Sequence, residues 1–281
     1  MESSGVRMTR RWRVAWCGSL AGCALTWPLL AGAGAGVTVY ETGFENPPFA
    51  NHSLLVGQDG WIAPDLFSPA AAVIATGKRA AGKQALRVHG RDLESQEAIN
   101  ELTGGYYDAL GSYRRTVDFD TQGTQIVRIS ADVLVKGEKT PDGENFFSAS
   151  VSTRVVLTDG DTAGAGELAI SSDGHVYGHC GCENVPTMLT SVAVNLNAWH
   201  NLAVEVDTGE LTYSFFLDGE YLGSFDLDLP PDPDDPDIEY TTVLRRGSLL
   251  AYAAPDSADL EKEAYAAYFD NFAIETVAAG K

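Results

Sequence analysis

The stretch WHNLAVEVDTGELTYSFFLDGEYLG, residues 199–223, decides the fold. Three runs, 199–207, 211–217 and 221–227, are rich in Val, Leu, Phe and Tyr. They are separated by Asp207-Thr-Gly209 and Asp218-Gly219, residue pairs that accept the backbone angles of tight turns. Apolar and polar residues alternate along each run, which is the period of a strand with one buried face. The segment therefore reads as an antiparallel meander with Trp199, Leu202, Val204, Phe215 and Leu217 turned inward.

The same pattern spreads in both directions. Over 126–135, Val127, Ile129, Ala131, Val133 and Val135 oppose Ile126, Arg128, Ser130 and Asp132. Over 146–157, Phe147, Ala149, Val151, Thr153 and Val155 oppose Ser148, Ser150, Ser152 and Arg154. The run 168–172 is closed by Asp173-Gly174, and 175–180 returns as the second arm of a hairpin. Further strands are expected at 240–244, 249–252 and 265–276. No stretch after residue 36 reads as a helix longer than two turns, and no repeat or linker divides the chain. Many short alternating strands with regular turns predict an all-β, two-layer antiparallel sandwich in one domain, 37–281.

Composition agrees with a packed, exported domain. Of 281 residues 44% are hydrophobic and the formal net charge is -20. The N-terminus carries Arg10, Arg11 and Arg13, an apolar stretch to Leu30, and the small-residue run Ala31 to Gly36. This is the plan of a signal peptide, 1–36, rather than of a membrane anchor, because the apolar stretch is broken by glycines and no charge cluster stops it. The expected location is secreted, periplasmic or cell-surface, with no membrane span in the mature chain. Leu20-Ala-Gly-Cys23 offers a lesser alternative, a lipid on Cys23, but Ala24 to Leu30 stays apolar past it. Without the first 36 residues the chain holds 15 basic and 38 acidic side chains, a net of -23. Such a surface repels nucleic acid and favours cations.

The 199–223 segment resembles the most recognisable stretch of concanavalin A-like and laminin G-like jelly rolls of the bacterial secreted type. Ser171-Ser-Asp-Gly-His-Val-Tyr177 is similar to the hairpin that precedes it there. Thr42-Gly-Phe-Glu45 and Tyr268-Phe-Asp-Asn-Phe-Ala-Ile274 resemble the paired first and last strands of such modules, and Gly57-Gln-Asp-Gly-Trp61 resembles a motif near their start. The resemblance implies a jelly-roll β-sandwich, with Trp61 covering one end. It also implies a structural calcium ion between Glu45 and Asp270, with backbone carbonyls and water completing the six to eight oxygens that calcium takes. It does not fix a function, since this fold carries lectins, hydrolases, lyases and adhesion modules.

No catalytic string stands up in the sequence. Glu205-Val-Asp207-Thr-Gly-Glu210 has the spacing of a retaining glucanase strand. However, Asp207-Thr-Gly-Glu reads as a turn, and the match falls inside the segment that the catalytic strand should precede. His175, Tyr177 and His179 share a strand face by alternation, with Arg128 and Arg154 on candidate neighbouring strands. These are the residue types of a lyase, and equally of an ordinary exposed face. Tyr106, Tyr107 and Tyr113, beside Arg114 and Arg115, could stack sugars or pack on one another. Cys180-Gly-Cys182 is one residue short of a zinc pair, so a local disulfide is expected instead. The four aspartates between 232 and 237 sit in a proline-stiffened loop and read as solvated.

The ligand-binding candidates are thus Tyr106, Tyr107, Tyr113, Arg128, His175 and Tyr177. The expected function is an exported, non-catalytic glycan-binding or adhesion-type module with structural calcium at Glu45 and Asp270. Its partners would be carbohydrate or cell-surface glycan. The alternatives are a divergent polysaccharide hydrolase or lyase on the same fold, and a structural protein of the cell envelope.

Overall fold

The structure is a computed structural model. It describes residues 36–63, 72–89, 109–116, 126–141, 147–156, 162–180, 187–191, 193–226, 243–253 and 265–277. Residues Ala33–Lys281 form one compact unit. The described residues hold fifteen strands and no helix.

The first sheet contains β1 (Val37–Thr42), β3 (Ala72–Ala75), β4 (Ala85–His89), β6 (Ile126–Lys136), β11 (His200–Asp207), β12 (Thr212–Leu217), β13 (Glu220–Asp226) and β15 (Ala266–Val277). They run in the order β13-β12-β11-β6-β15-β4-β3, with β1 also paired to β15. The second sheet contains β2 (Trp61–Ile62), β5 (Ala109–Thr116), β7 (Phe147–Val156), β8 (Thr162–Ser171), β9 (Val176–Cys180), β10 (Thr187–Met188) and β14 (Val243–Ala253). Its order is β10-β9-β8-β7-β14-β5-β2. Among the described residues every strand pairing is antiparallel.

The alternation read from the sequence becomes the core. Val127, Ile129 and Val133 of β6, Leu202 and Val204 of β11, and Phe215 of β12 face Val151 of β7, Leu168 of β8 and Leu249 of β14; all are fully buried. Burying a side chain of this size contributes about 1.5–3 kcal/mol relative to leaving it exposed. Two large side chains of the first sheet reach across into glycine gaps of the second. A Cβ on Gly166 would lie 2.4 Å from Tyr213, and one on Gly247 would lie 2.6 Å from Phe272. Burial pushes the Tyr213 phenol well above its ordinary pKa.

Three readings change. Trp199 does not enter the main core: it packs on the outer side of the first sheet with Leu134, Ala266 and Tyr268. Its odd position puts it on the face opposite Leu202 and Val204. Trp61, expected as a cover, is a core residue: it is fully buried, with ring contacts to Phe44 and Phe272, and its Nε1–H donates to Tyr40 Oη at 3.1 Å. The two late strands expected at 240–244 and 249–252 are one strand, β14, whose register shifts between Leu244 and Gly247.

The last strand organises the first sheet, pairing with β1, β4 and β6. Between Asp270 and Ala273 its register shifts against β6, and Asn271 takes a positive φ of 46°. Asn tolerates this conformation better than most residues. The bulge lets Phe269 and Phe272, three apart, both point into the core while Asp270 and Asn271 are re-aimed.

Candidate functional site

Two places gather chemistry. The first is where the chain ends meet. β1 stops at Thr42, so Gly43, Phe44 and Glu45 lie just beyond the strand rather than on it. The loop before β4 then wraps both acids. Ala80 and Ala81 N–H donate to Asp270 Oδ2 at 2.9 and 3.0 Å, and Asn271 N–H donates to Oδ1 at 2.8 Å. Lys83 and Gln84 N–H donate to Glu45 Oε1. The wrap needs Gly82, which has φ +58° and whose absent Cβ would fall on Glu45 Oε1.

Asp270 is fully buried, and its Cα partner across the sheet is Asp132. Burial raises its pKa above the carboxylate norm and the Asp132 charge adds to this, while the three backbone N–H groups pull it down. Asp132 is itself held by Asn201 Nδ2 at 2.8 Å and Asn271 Nδ2 at 2.7 Å. A pocket of about 380 Å³ opens beside Glu45, between Gly43, Pro47, Pro48 and Asn271. Among the described residues no group of three or more His, Cys, Asp or Glu is placed to hold a metal. The acids fit a hard cation by donor type and by their excess negative charge. The remaining oxygens would have to come from the backbone and water.

The second place is the outer face of the second sheet. Backbone register lines up one row across it: His179 of β9, Glu167 of β8, Ser152 of β7, Ser248 of β14, Arg114 of β5 and Ile62 of β2. The next row is Met188, Tyr177, Ala169, Ser150 and Leu250. Ser150, Ser152, Ser171 and Ser248 are all buried, and among the described residues Ser150 Oγ has no hydrogen-bond partner. Glu167 and His179 are half-buried across-strand neighbours. Tyr177 Oη donates to Asp173 Oδ2 at 2.5 Å, and buried Asp173 also accepts His175 N–H through Oδ1 at 2.8 Å. The described part of this face thus sets a floor of buried small side chains beside the Tyr177 phenol, the His179 imidazole and the Glu167 carboxylate.

The structure divides the residues that sequence reasoning had grouped. Tyr177 and His179 do share this face. His175 precedes β9, is only 7% exposed, and its Nδ1 lies 3.6 Å from Asp173 Oδ2, so it supports the hairpin rather than facing solvent. Arg128 lies in the other sheet, where it is paired with Glu205 at 2.5 Å; it is not a neighbour of Tyr177. Arg154 is in the second sheet, on β7, opposite Ala165. Register sets Tyr113 opposite Leu249, and Cys180 opposite Gly166. Tyr106, Tyr107, Cys182 and the acidic loop 230–237 lie outside the described residues, as do 1–35. The Glu205-x-Asp207 string is structural: Asp207 Oδ1 caps the turn by accepting Gly209 and Glu210 N–H. Sequence reasoning missed Glu167, which stands opposite His179 across the hairpin closed by Asp173-Gly174.

No family model matches the chain, and no curated protein matches it by sequence. Its likenesses are to solved structures. The endo-1,3-beta-glucanase from Streptomyces sioyaensis superimposes with a TM-score of 0.53 at 11% identity, over 90% of this chain and 100% of that one. The PL-14 alginate lyase from Aplysia kurodai gives 0.52 at 12%, over 85% and 99%. A structure described under endo-acting O-glycanases expressed by prominent members of the human gut microbiota gives 0.51 at 10%, over 87% and 100%. At such identities the likeness establishes the fold: the chain is a concanavalin A-like jelly-roll β-sandwich. Among the described residues no helix is long and apolar enough to cross a membrane.

Proposed function

We propose that this protein is an exported, non-catalytic glycan-binding module that receives its ligand on the outer face of the second sheet. The observation that carries the reading is the Tyr177–His179–Glu167 edge beside the serine floor. Flanking polar side chains above a floor of small residues match a polyhydroxylated ligand. Among the described residues the carboxylates at this edge are Glu167 and the buried Asp173, the latter already engaged by Tyr177 Oη and His175 N–H.

The second reading is a lyase or hydrolase on the same face. The short Tyr177–Asp173 bond favours it, because a phenol held by a buried carboxylate is a candidate proton carrier. A glycan array run beside an assay for new reducing ends and unsaturated products separates the two. Binding without product supports the module, and turnover replaces it with the enzyme.

A calcium ion at Glu45 and Asp270 belongs to the same proposal. It would offset the buried Asp270 charge and tie the first and last strands together, with no part in ligand chemistry. Export through the signal peptide 1–36 would place the protein where calcium is abundant.

A further inference from the structure

The meander that decides the fold ends in a feature the second-sheet reading leaves unused. Tyr221, on β13, is the most exposed aromatic of the described residues, at 59%. It lies at the outer edge of the first sheet, on the opposite side of the sandwich from Tyr177. Its surroundings are ordered by specific contacts. Its Oη donates to Ser224 Oγ at 3.0 Å, and its ring meets Phe216 edge-on with centroids 5.7 Å apart. The Arg128 guanidinium lies 5.0 Å from the centre of the Phe216 ring, and is fixed there by Glu205 at 2.5 Å. The register of β12 against β13 shifts between Phe215 and Phe216. Without that bulge Tyr221 and Ser224, three residues apart, would point to opposite faces. Bulges at sheet edges commonly re-aim a side chain in this way.

We propose that Tyr221, Phe216, Arg128, Glu205 and Ser224 form a second glycan subsite, on the outer face of the first sheet, specific for uncharged pyranose rings. An exposed phenol ring held in place by its neighbours gives a flat apolar surface for the C–H face of a sugar. Arg128, Glu205 and Ser224 supply planar donors, planar acceptors and a hydroxyl at its rim. Because each is already held by a partner, little side-chain freedom is lost on binding. The charge argues for a neutral ligand. Arg128 is compensated by Glu205, Glu275 stands opposite it on β15, and the whole chain carries -20, so a uronate or sulfate would meet net repulsion. The subsite is separate from the second-sheet face and stands or falls independently of it.

Affinity electrophoresis through gels containing laminarin, hydroxyethylcellulose or galactomannan, with alginate as the charged control, tests the proposal. The expected result is retardation by at least one neutral polysaccharide and none by alginate. Tyr221→Ala weakens it about tenfold or more, as for an aromatic anchor, with an unchanged melting temperature. Tyr221→Trp retains it, and its emission shifts to shorter wavelength with the polysaccharide. Tyr177→Ala leaves the Tyr221-dependent part intact. Two results would overturn the subsite: no retardation by any of the three neutral polysaccharides, or equal retardation of wild type and Tyr221→Ala.

Discussion

Asp270 and Glu45, near opposite ends of the chain, are held by the same short loop: Ala80 and Ala81 N–H donate to Asp270, and Lys83 and Gln84 N–H donate to Glu45. The backbone supplies partial positive charge to both carboxylates, yet Asp270 remains buried beside Asp132. A cation is expected to complete this arrangement. Calcium at a hundred times its dissociation constant should stabilise the fold by about 2.7 kcal/mol over chelator, read as a rise in melting temperature. Asp270→Ala should abolish the rise. A midpoint indifferent to calcium in the wild type would remove the ion from the account.

The same residue predicts a pH dependence. The folded pKa of Asp270 is raised above the ordinary 3.8, chiefly by burial. A raised carboxylate favours the proton-bound native state, so its contribution is fully present below the ordinary value and is lost as pH rises through the folded value. In chelator, urea midpoints across the acid range should therefore fall more steeply with rising pH in the wild type than in Asp270→Asn. Added calcium should flatten the difference at the upper end, where Asp270 is ionised. Parallel profiles for the two proteins would contradict this.

Gly247→Ala and Gly166→Ala test the interlock between the sheets. Each new methyl group would meet a ring at 2.6 Å or 2.4 Å, that of Phe272 or Tyr213. Overpacking of this kind costs about 1–3 kcal/mol. Chemical denaturation should show both variants destabilised by that amount, with Gly219→Ala as a comparison in which no atom lies within 4 Å and only backbone strain at φ +82° acts.

Much of this architecture was legible as period-two alternation. β6, β7, β11 and β12 bury most of the residues their patterns single out: Val127 to Val135 and Phe147 to Thr153 on the inward phase, Leu202, Val204 and Phe215, with Leu217 half-buried against the core. Parity also held the information that was misread: Trp199 is out of phase with Leu202 and Val204, and its outward position follows from counting. The spacing of Phe269 and Phe272 around Asn271 likewise encodes the bulge in β15. Pairing was not legible, because strand neighbours are set by contacts distant in sequence. Nothing local tells that β6 lies between β11 and β15 while β7 lies between β8 and β14. Arg128 was therefore grouped with Tyr177 across what proved to be two sheets. Glu167 is a different case: it faces His179 across the hairpin that Asp173-Gly174 signals, so counting out from that turn reaches it. The short strands β3 and β4 offered too few residues for alternation to register.

Export has a direct readout. Mass spectrometry of secreted material should find a mature N-terminus between Ala33 and Thr38. A diacylated Cys23 would attach the protein to a membrane instead.

On the proposed reading the second-sheet face binds glycan without cleaving it. It is tested most directly by one titration: wild type, His179→Ala and Tyr221→Ala against an immobilised glycan panel, with the supernatant assayed for new reducing ends and unsaturated sugars. The account predicts at least one glycan whose binding falls about tenfold or more in His179→Ala, as for loss of a central contact, survives in Tyr221→Ala, and releases no product. Product release by the wild type, or binding that is indifferent to His179→Ala for every glycan bound, would contradict it.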